Sequence, residues 1–392
     1  MISVNQALEI VKKHCIATQN IEKKEVSKSL GFVLAKTVLS PINMPPFRQS
    51  AMDGYALNMH AKNTYKVIDE VKAGDGHHPV LEQGEAVRIF TGSAVPDTAN
   101  AVVMQEKVHS EGDVITIKEH VSNNQNIRPL GEQVKQGVVA LKKGTKINPA
   151  AIGFLTTLGI SEIPVFVKPN IAIITTGSEL IEAGQPLTYG KIYESNSVML
   201  QTALQSIGFP KVKLTKVKDN YSATLEILEK TISENDMILI SGGISVGDYD
   251  FVGKALLELG VEPLFYKVKQ KPGKPLFFGK KENKFIFALP GNPASALSSF
   301  YYYVQQAIQQ VSGNKNFSHT FLKAKLRSDY LKKGDRAQFL KAKYDQGEVQ
   351  ILEGQSSAML HTFALANAFV FIPEEVNQVK KAEQVEVILL PV

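Results

Sequence analysis

The segment NIAIITTGSEL, residues 170–180, has the composition of a buried strand that runs into a glycine turn. Its apolar run carries no charge, which is typical of a strand that is covered on both faces. The chain that follows alternates between helical and strand-like patterns: helices are predicted at 195–209, 222–235 and 251–260, and strands at 211–217 and 236–241. Strands that alternate with helices predict parallel pairing and therefore an α/β sheet.

The chain on either side of this α/β segment has a different pattern. Residues 3–17, 24–37 and 148–160 are predicted to be helical, whereas short β-type runs between Gly, Asp and Asn turns fill 51–136 and the C-terminal part. The sequence therefore predicts an α/β multidomain protein. Its four domains are a discontinuous helical linker domain (1–44 and 137–168), an inserted β-rich domain (45–136), an α/β catalytic domain (169–314) and a C-terminal β-barrel-like domain (315–392).

The composition argues against several classes of function. The 392 residues carry a net charge of +6, but no basic run exceeds two residues, whereas nucleic-acid binding favours a concentrated basic stripe. The single cysteine, Cys15, excludes an intrachain disulfide and a cysteine-built zinc site, and it fits a reducing compartment. The sequence has no secretory signal pattern and no bilayer-length apolar run. We therefore expect a cytoplasmic protein that binds neither nucleic acid nor membrane.

Glycine-bearing loops follow three predicted strands, at the positions where ligands bind in parallel α/β sheets. Glycines at such points let backbone N–H groups approach an anion. Each loop alone is ordinary turn chemistry, but three of them beside four lysines at 267–274 predict a phosphate-rich ligand. The candidate residues are Thr176, Gly177, Ser178 and Glu179; Ser241, Gly242, Gly243, Ser245 and Gly247; and Pro290, Gly291, Asn292 and Pro293.

Charged residues near these loops supply the other candidates. Lys271 and Lys274 bracket a Pro-Gly turn in QKPGKPLFFG, residues 270–279. Glu179, Asp236 and Asp250 could hold Mg²⁺ against phosphate, because Mg²⁺ prefers oxygen ligands. Each acid could equally be a solvated surface charge, and Asp236 a residue at a helix end or strand start. Standard P-loop and dinucleotide fingerprints are absent.

Two polar motifs lie far from these loops in the sequence. PPFRQSAMDGYAL (45–57) contains Asp53, and FTGSAVPDTANAVVMQE (90–106) contains Thr91. The Asp53-Gly54 pair could be a simple turn or could present its carboxylate into a cleft.

These motifs occur together in an order that resembles the MoeA family, the molybdopterin molybdenumtransferases, which are similar to the gephyrin E domain. The resemblance rests on PPFRQSAMDGYAL, IFTGSAVPDTANAVVMQE, TTGSEL, SGGISVGDYDFV, KPGKPLFFG and LPGNPASAL. It implies an elongated homodimer of four-domain subunits, with an α/β domain similar to MogA. It also implies that molybdate is inserted into adenylylated molybdopterin, with release of AMP in a Mg²⁺-dependent step.

The resemblance also implies roles for individual residues. Glu179, Asp236 and Asp250 match the family's acids, and Lys271 and Lys274 match its lysine pair. Asp53 matches an acid that the family contributes across the dimer, and Arg336 and Ser357 resemble contributions to the molybdate end. Two positions depart from the pattern: Ser178 stands where many relatives have Asp, and Ala358 stands where His is common.

Two other functions are compatible with parts of this pattern. A MogA-type molybdopterin adenylyltransferase shares the glycine loops. The segment PPFRQSAMDGYAL (45–57), with its Asp-Gly-Tyr sequence, and the β-rich C-terminal segment argue against this function. A gephyrin-E-like dimeric scaffold would need a groove but no intact acids. The sequence leaves open whether a MogA-type adenylyltransferase is a partner.

Overall fold

The computed structural model describes residues 1–217, 220–243 and 251–391. The chain divides into two compact units. The first unit consists of Met1–Glu22, Gly31–Val33 and Phe166–Val392, and the second of Lys23–Leu30 and Leu34–Val165. In the part of the chain that is described, no helix has both the length and the apolar character needed to cross a membrane.

The first unit contains a six-stranded sheet, the central sheet, built from the predicted α/β segment. Its described strands, in spatial order, are Val212–Val217, Ile171–Thr176, Met237–Ser241, Lys284–Leu289, Phe277–Lys281 and Glu262–Tyr266. The first four strands are parallel and the last two are antiparallel to their neighbours. The prediction of a parallel-rich α/β sheet is confirmed.

Helices cover both faces of the central sheet because its strands are apolar on both sides. Ile173 and Leu239 point into one core, whereas Ile174 and Ile240 point into the other. The described helices of this unit are Val4–His14, Asn196–Ser206, Tyr221–Glu234, Phe251–Glu258, Pro293–Ser299, Gln305–Val311 and Leu360–Leu365, and a π-helical turn joins the fifth to the sixth at Phe300–Val304. Short strands lie at Leu180–Ile181, Ile192–Tyr193, Gln270–Lys271, Tyr330–Leu331 and Gln378–Val379.

The C-terminal part of this unit forms a closed sheet of five strands, the C-terminal barrel. Its strands are Phe321–Leu326, Ala337–Asp345, Glu348–Ile351, Ala368–Ile372 and Gln384–Leu389. The sheet closes because Ala337–Asp345 pairs with both Glu348–Ile351 and Ala368–Ile372. The predicted β-barrel-like C-terminal domain is confirmed.

The second unit is built on a mixed six-stranded sheet, as the predicted inserted β-rich domain requires. Its strands, in spatial order, are Ala101–Met104, Gly54–Leu57, Glu85–Ile89, Thr64–Val71, Val114–Ile117 and Val108–Glu111. Shorter elements are the strands Val38–Leu39, Gln49–Ser50, Ile127–Arg128 and Val139–Leu141 and the 3₁₀ turns Val26–Lys28 and Gln105–Lys107. The helix Pro149–Thr157 starts as predicted, because the Asn148 side chain accepts the Ala151 N–H at 2.8 Å.

The predicted helix at 24–37 is wrong, and the segments 1–44 and 137–168, predicted as a helical linker domain, contain short strands as well as helices. Strands form at Ile21–Glu25 and Glu162–Phe166. Within the second unit, the Val26 N–H bonds to the Ser161 carbonyl, and Leu34 bridges to Val165. These distant partners hold the segment in a conformation that is not α-helical, with only the 3₁₀ turn Val26–Lys28, so tertiary pairing overrides local helix propensity. The four domain boundaries remain predictions.

Candidate active site

The carboxyl ends of three neighbouring strands lie level with one another in the central sheet. Thr175 is in register with Ser241, and Ser241 with Leu289. The three glycine-bearing loops therefore leave the same edge of the sheet side by side. This is the edge at which open α/β sheets bind their ligands.

The glycines at this edge are required by close approach of the backbone. A side chain on Gly242 would place its Cβ 2.6 Å from the Thr176 carbonyl oxygen, and Gly242 has φ +92°. A Cβ on Gly243 would lie 2.7 Å from Thr176 Oγ1. The Ser-Gly-Gly loop is thus packed directly against the end of the neighbouring strand, which leaves backbone rather than side chains at the edge.

These loops line a cavity of about 730 Å³, which is within the usual range for small-molecule sites. Ten of the predicted residues line it: Thr176, Gly177, Glu179, Ser241, Gly242, Gly243, Pro290, Gly291, Asn292 and Pro293. Ser178 is exposed beside it, and its carbonyl accepts the Lys191 ammonium at 2.7 Å. Ser245, Gly247 and Asp250 lie outside the described residues.

Asn196 joins two of the loops and was not predicted from the sequence. Its Nδ2 donates to Ser241 Oγ at 2.7 Å and to the Gly291 carbonyl at 2.8 Å. Asn196 Oδ1 and Thr176 Oγ1 are buried and have no hydrogen-bond partner in the described part of the chain. Because a buried polar atom without a partner is costly, these two atoms at the cavity wall favour a polar ligand.

A loop of the C-terminal barrel reaches the same cavity. Ala358 lines it, and Ser357 Oγ accepts a hydrogen bond from Asn292 Nδ2 at 2.9 Å. The Ser357 carbonyl accepts the Ala294 N–H at 3.0 Å. One N–H at the start of helix Pro293–Ser299 is therefore occupied by the protein's own backbone.

Lys271 and Lys274 lie in a turn, the lysine turn (residues 270–275), whose Pro275 lines the cavity. Both lysines are exposed, and neither forms an ion pair within the described ranges. Buried Gln270 holds this turn: its Oε1 accepts from Tyr303 Oη at 2.6 Å, and its Nε2 donates to the Gly273 carbonyl at 3.2 Å. Arg336 donates to the Gln270 carbonyl at 3.2 Å, so the predicted arginine lies against the same turn.

The predicted carboxylates do not form one cluster. Glu179 lines the cavity, whereas Asp236 precedes the strand Met237–Ser241, where its Oδ2 accepts the Asn170 N–H at 2.8 Å. The length of that strand, about 16 Å at the usual rise, separates Asp236 from the loop edge. A single ion cannot contact both carboxylates. In the described ranges, no group of three or more His, Cys, Asp or Glu side chains could hold a metal ion.

Asp53 and Thr91 belong to the second unit, where the structure brings their two motifs together. Thr91 donates its N–H and its hydroxyl to Asp53 Oδ1 at 2.7 and 2.6 Å. These hydrogen bonds, with a smaller contribution from the charge of Arg88, lower the pKa of the Asp53 carboxyl. Gly54 starts a strand rather than a turn, and a Cβ there would lie 1.8 Å from the Val103 carbonyl oxygen. The exposed carboxylate is therefore held ionised on a rigid support.

Comparison with known proteins agrees with this architecture along the whole chain. The family descriptions that match are the MoeA N-terminal region (domain I and II) at residues 2–159, a probable molybdopterin binding domain at 172–310 and the MoeA C-terminal region (domain IV) at 323–390. A molybdopterin molybdenumtransferase of Haemophilus influenzae is 34% identical over 99% of this chain and 98% of its own length. The chain belongs to the MoeA family.

Other MoeA-family proteins give the same result. A molybdopterin molybdenumtransferase of Staphylococcus epidermidis is 32% identical over 99% of this chain and 95% of its own length. The solved structure of the molybdopterin biosynthesis moeA protein from Pyrococcus horikoshii is 33% identical, covers 100% of both chains and has a TM-score of 0.86. The fold and the family predicted from the six motifs are both confirmed.

Proposed function

We propose that this protein inserts molybdate into adenylylated molybdopterin and releases AMP. The observation that carries the proposal is the single cavity at which three glycine loops of the central sheet meet the Ser357 loop of the C-terminal barrel. Family membership supports the same reaction, since the relatives named above are molybdopterin molybdenumtransferases.

The glycine loops are suited to the phosphate end of such a substrate. Gly177, Gly242 and Gly243 leave the backbone accessible, so a phosphate can approach N–H groups without meeting side chains. The unpartnered Asn196 Oδ1 can accept a hydrogen bond from a hydroxyl or amino group of the ligand. We assign nucleotide binding to this edge of the sheet.

The molybdate end is assigned to the lysine turn and the Ser357 loop. Molybdate is a dianion, and Lys271, Lys274 and Arg336 are the cations that this part of the first unit offers to it. Pro275 of the lysine turn and Ala358 of the Ser357 loop line the same cavity as the glycine loops, and Asn292 donates to Ser357 Oγ at 2.9 Å, which supports assigning the two ends to one site. The reacting groups can therefore be held close together.

The described residues fit Mg²⁺ only as an ion shared with the substrate. Glu194 also lines the cavity, but its carboxylate accepts hydrogen bonds from the Ser197 N–H at 2.9 Å and from the Ser197 hydroxyl. Mg²⁺ commonly keeps several waters and binds through one or two carboxylates together with substrate phosphates. We propose that Glu179 supplies the protein's carboxylate. When bound, the ion would offset negative charge on the departing phosphate.

Asp53 enters the proposal through a homodimer, in which each subunit lends this carboxylate to its partner's cavity. Mixed dimers test this arrangement: subunits carrying Asp53→Asn and subunits carrying Lys274→Met should both be inactive alone. If the two residues act across the dimer, mixing the subunits restores one intact cavity per heterodimer. Activity that does not return in the mixture contradicts the shared site.

The reaction is tested with purified protein, adenylylated molybdopterin, molybdate and Mg²⁺. We expect AMP release that requires molybdate and that falls in Lys274→Met, whereas Lys343→Met, which removes an exposed cation of the C-terminal barrel, leaves the rate unchanged. No AMP release by wild-type protein contradicts the proposal. ATP consumption without molybdate would instead identify an adenylyltransferase, and a scaffold would tolerate loss of Lys274 or Asp53.

Two further assignments go with this proposal. The adenylylated substrate must come from an adenylyltransferase, and we propose a MogA-type enzyme as the partner that supplies it. The buried free thiol of Cys15 fits a reducing compartment, so we place the reaction in the cytoplasm.

A further inference from the structure

Lys341 is a buried lysine in a strand of the C-terminal barrel, and its charge is not balanced by an acid. The residue is only 2% exposed, yet it takes part in no ion pair within the ranges that the structure describes. Buried lysines are rare unless they are paired with an opposite charge. The position of Lys341 therefore needs an explanation other than barrel packing.

The acceptors of Lys341 all belong to one loop, the oxyanion loop (residues 354–359). The Lys341 ammonium donates to the carbonyls of Gly354 at 2.9 Å, Ser356 at 3.2 Å and Met359 at 3.1 Å. The three carbonyls stabilise the charged form, although burial lowers the pKa of Lys341. This loop carries Ser357, which contacts Asn292, and Ala358, which lines the cavity.

The backbone of Lys341 is tied to the same loop. Its N–H donates to Gln355 Oε1 at 2.9 Å, and its carbonyl accepts from Gln355 Nε2 at 2.8 Å. The strand thus holds the loop through both its side chain and its main chain.

The geometry of the peptide bond determines which groups face away from Lys341. In a trans peptide the C=O and the following N–H point in opposite directions. Because the Ser356 carbonyl points toward the Lys341 ammonium, the Ser357 N–H points away from the lysine. That N–H has no acceptor among the residues for which the structure gives positions. An outward N–H beside a hydroxyl is a suitable donor pair for an oxyanion.

We propose that Lys341 is a positioning residue that orients the oxyanion loop, so that Ser357 presents its N–H and hydroxyl to molybdate. This inference rests on the proposed function, because it names the group that prepares the molybdate end of that cavity. Lys341 acts through the loop and does not touch the substrate. The positive charge of Lys341, which is hydrogen-bonded to the carbonyls of this loop and has no acidic partner in the described ranges, also favours a dianion over a neutral ligand.

The test compares molybdate binding and turnover in wild type, Lys341→Met, Lys341→Arg and a stability control. Val387→Ala is the control, because Val387 is a fully buried residue of the barrel core. We expect Lys341→Met to weaken molybdate binding and raise the KM for molybdate by roughly tenfold or more, as loss of a charge-assisted contact predicts. AMP affinity should stay within about twofold of wild type, since the glycine loops are untouched. Lys341→Arg, which can still reach carbonyl acceptors, should recover most of the molybdate affinity.

Each outcome separates the inference from the function on which it rests. If wild-type protein neither binds molybdate nor transfers it, the proposed function fails and this inference fails with it. If wild type is active and Lys341→Met binds molybdate as Val387→Ala does, only the inference fails. Should Lys341→Met not fold, Gln355→Ala breaks the other half of the same attachment and must also weaken molybdate binding more than AMP binding. Equal affinities in Gln355→Ala and wild type overturn the inference.

Discussion

Replacing Gly242 by alanine tests whether the close packing of the Ser-Gly-Gly loop against Thr176 determines the shape of the cavity. The added Cβ would lie 2.6 Å from the Thr176 carbonyl oxygen and 3.0 Å from Thr176 Oγ1. Real Cβ atoms do not approach a backbone oxygen this closely, so the Ser-Gly-Gly loop or the end of strand Ile171–Thr176 must shift. Either shift alters the edge to which we assign the nucleotide.

Gly184 provides a control that is matched in backbone conformation. It has φ +91°, against +92° for Gly242, but a Cβ there would meet no atom within 4 Å. The left-handed conformation costs an alanine about 1–2 kcal/mol at either site. Overlap with a packed neighbour adds about 1–3 kcal/mol at Gly242 alone. The difference between the two variants therefore isolates the contact with Thr176.

The assay is urea denaturation of both variants, followed by measurement of AMP affinity. We expect Gly242→Ala to lower the free energy of unfolding by about 1–3 kcal/mol more than Gly184→Ala does. We also expect its AMP affinity to fall, whereas Gly184→Ala should bind AMP as wild type does. Equal stabilities in the two variants would refute the packing argument, and unchanged AMP binding in a destabilised Gly242→Ala would separate the loop from the ligand.

Three further predictions concern hydrogen bonds at or near the assigned sites. Asn196→Ala removes the hydrogen bonds to Ser241 and Gly291 and should destabilise the protein by about 1–3 kcal/mol, measured by urea denaturation. AMP binding should also weaken. Unchanged stability and unchanged AMP affinity would show that the two loops keep their positions without Asn196. Tyr303→Phe removes the buried hydrogen bond to Gln270 and should lower the free energy of unfolding by about 1–3 kcal/mol. It should also raise the KM for molybdate, because the lysine turn loses its support. A loss of stability without a change in KM would contradict the link between this turn and molybdate. Thr91→Val removes one of the two hydrogen bonds that lower the pKa of Asp53, so carboxyl NMR should show that pKa rising toward its ordinary value. In wild type the stabilisation from this carboxylate is complete above the ordinary Asp pKa and is lost as the pH falls through the lowered pKa. If Asp53 titrates identically in Thr91→Val and wild type, the Thr91 hydroxyl is not the cause of the lowered pKa.

The sequence predicted those parts of the fold whose local pattern agrees with their tertiary setting. Strand Ile171–Thr176 is buried along its whole length, so its uncharged run identified it directly. The helix at 24–37 was wrong because distant partners, Ser161 and Val165, fix the conformation of that segment. A short window of sequence around residues 24–37 does not show that these distant residues will pair with it.

The candidate site was predictable to the extent that its residues follow strands. Asp236 was grouped with Glu179 although it precedes its strand, and its position in the sequence alone indicates the opposite edge of the sheet. Asn196 gave no signal, since an asparagine at the start of a helix is an ordinary cap. Lys341 was also not recognised, because FLKAKY has the alternation of a half-exposed strand. The loop at 354–359 covers the face on which Lys341 lies, and three of its carbonyls accept hydrogen bonds from the Lys341 ammonium.

The central claim, that phosphate and oxyanion share one cavity, is tested most directly by a crystal structure with AMP and tungstate. Tungstate replaces molybdate because its anomalous scattering locates the metal without ambiguity. We predict the AMP phosphate beside Gly242 and Gly291, and the tungstate peak within hydrogen-bonding distance of Ser357. A tungstate peak or a nucleotide bound elsewhere on the protein would contradict the account.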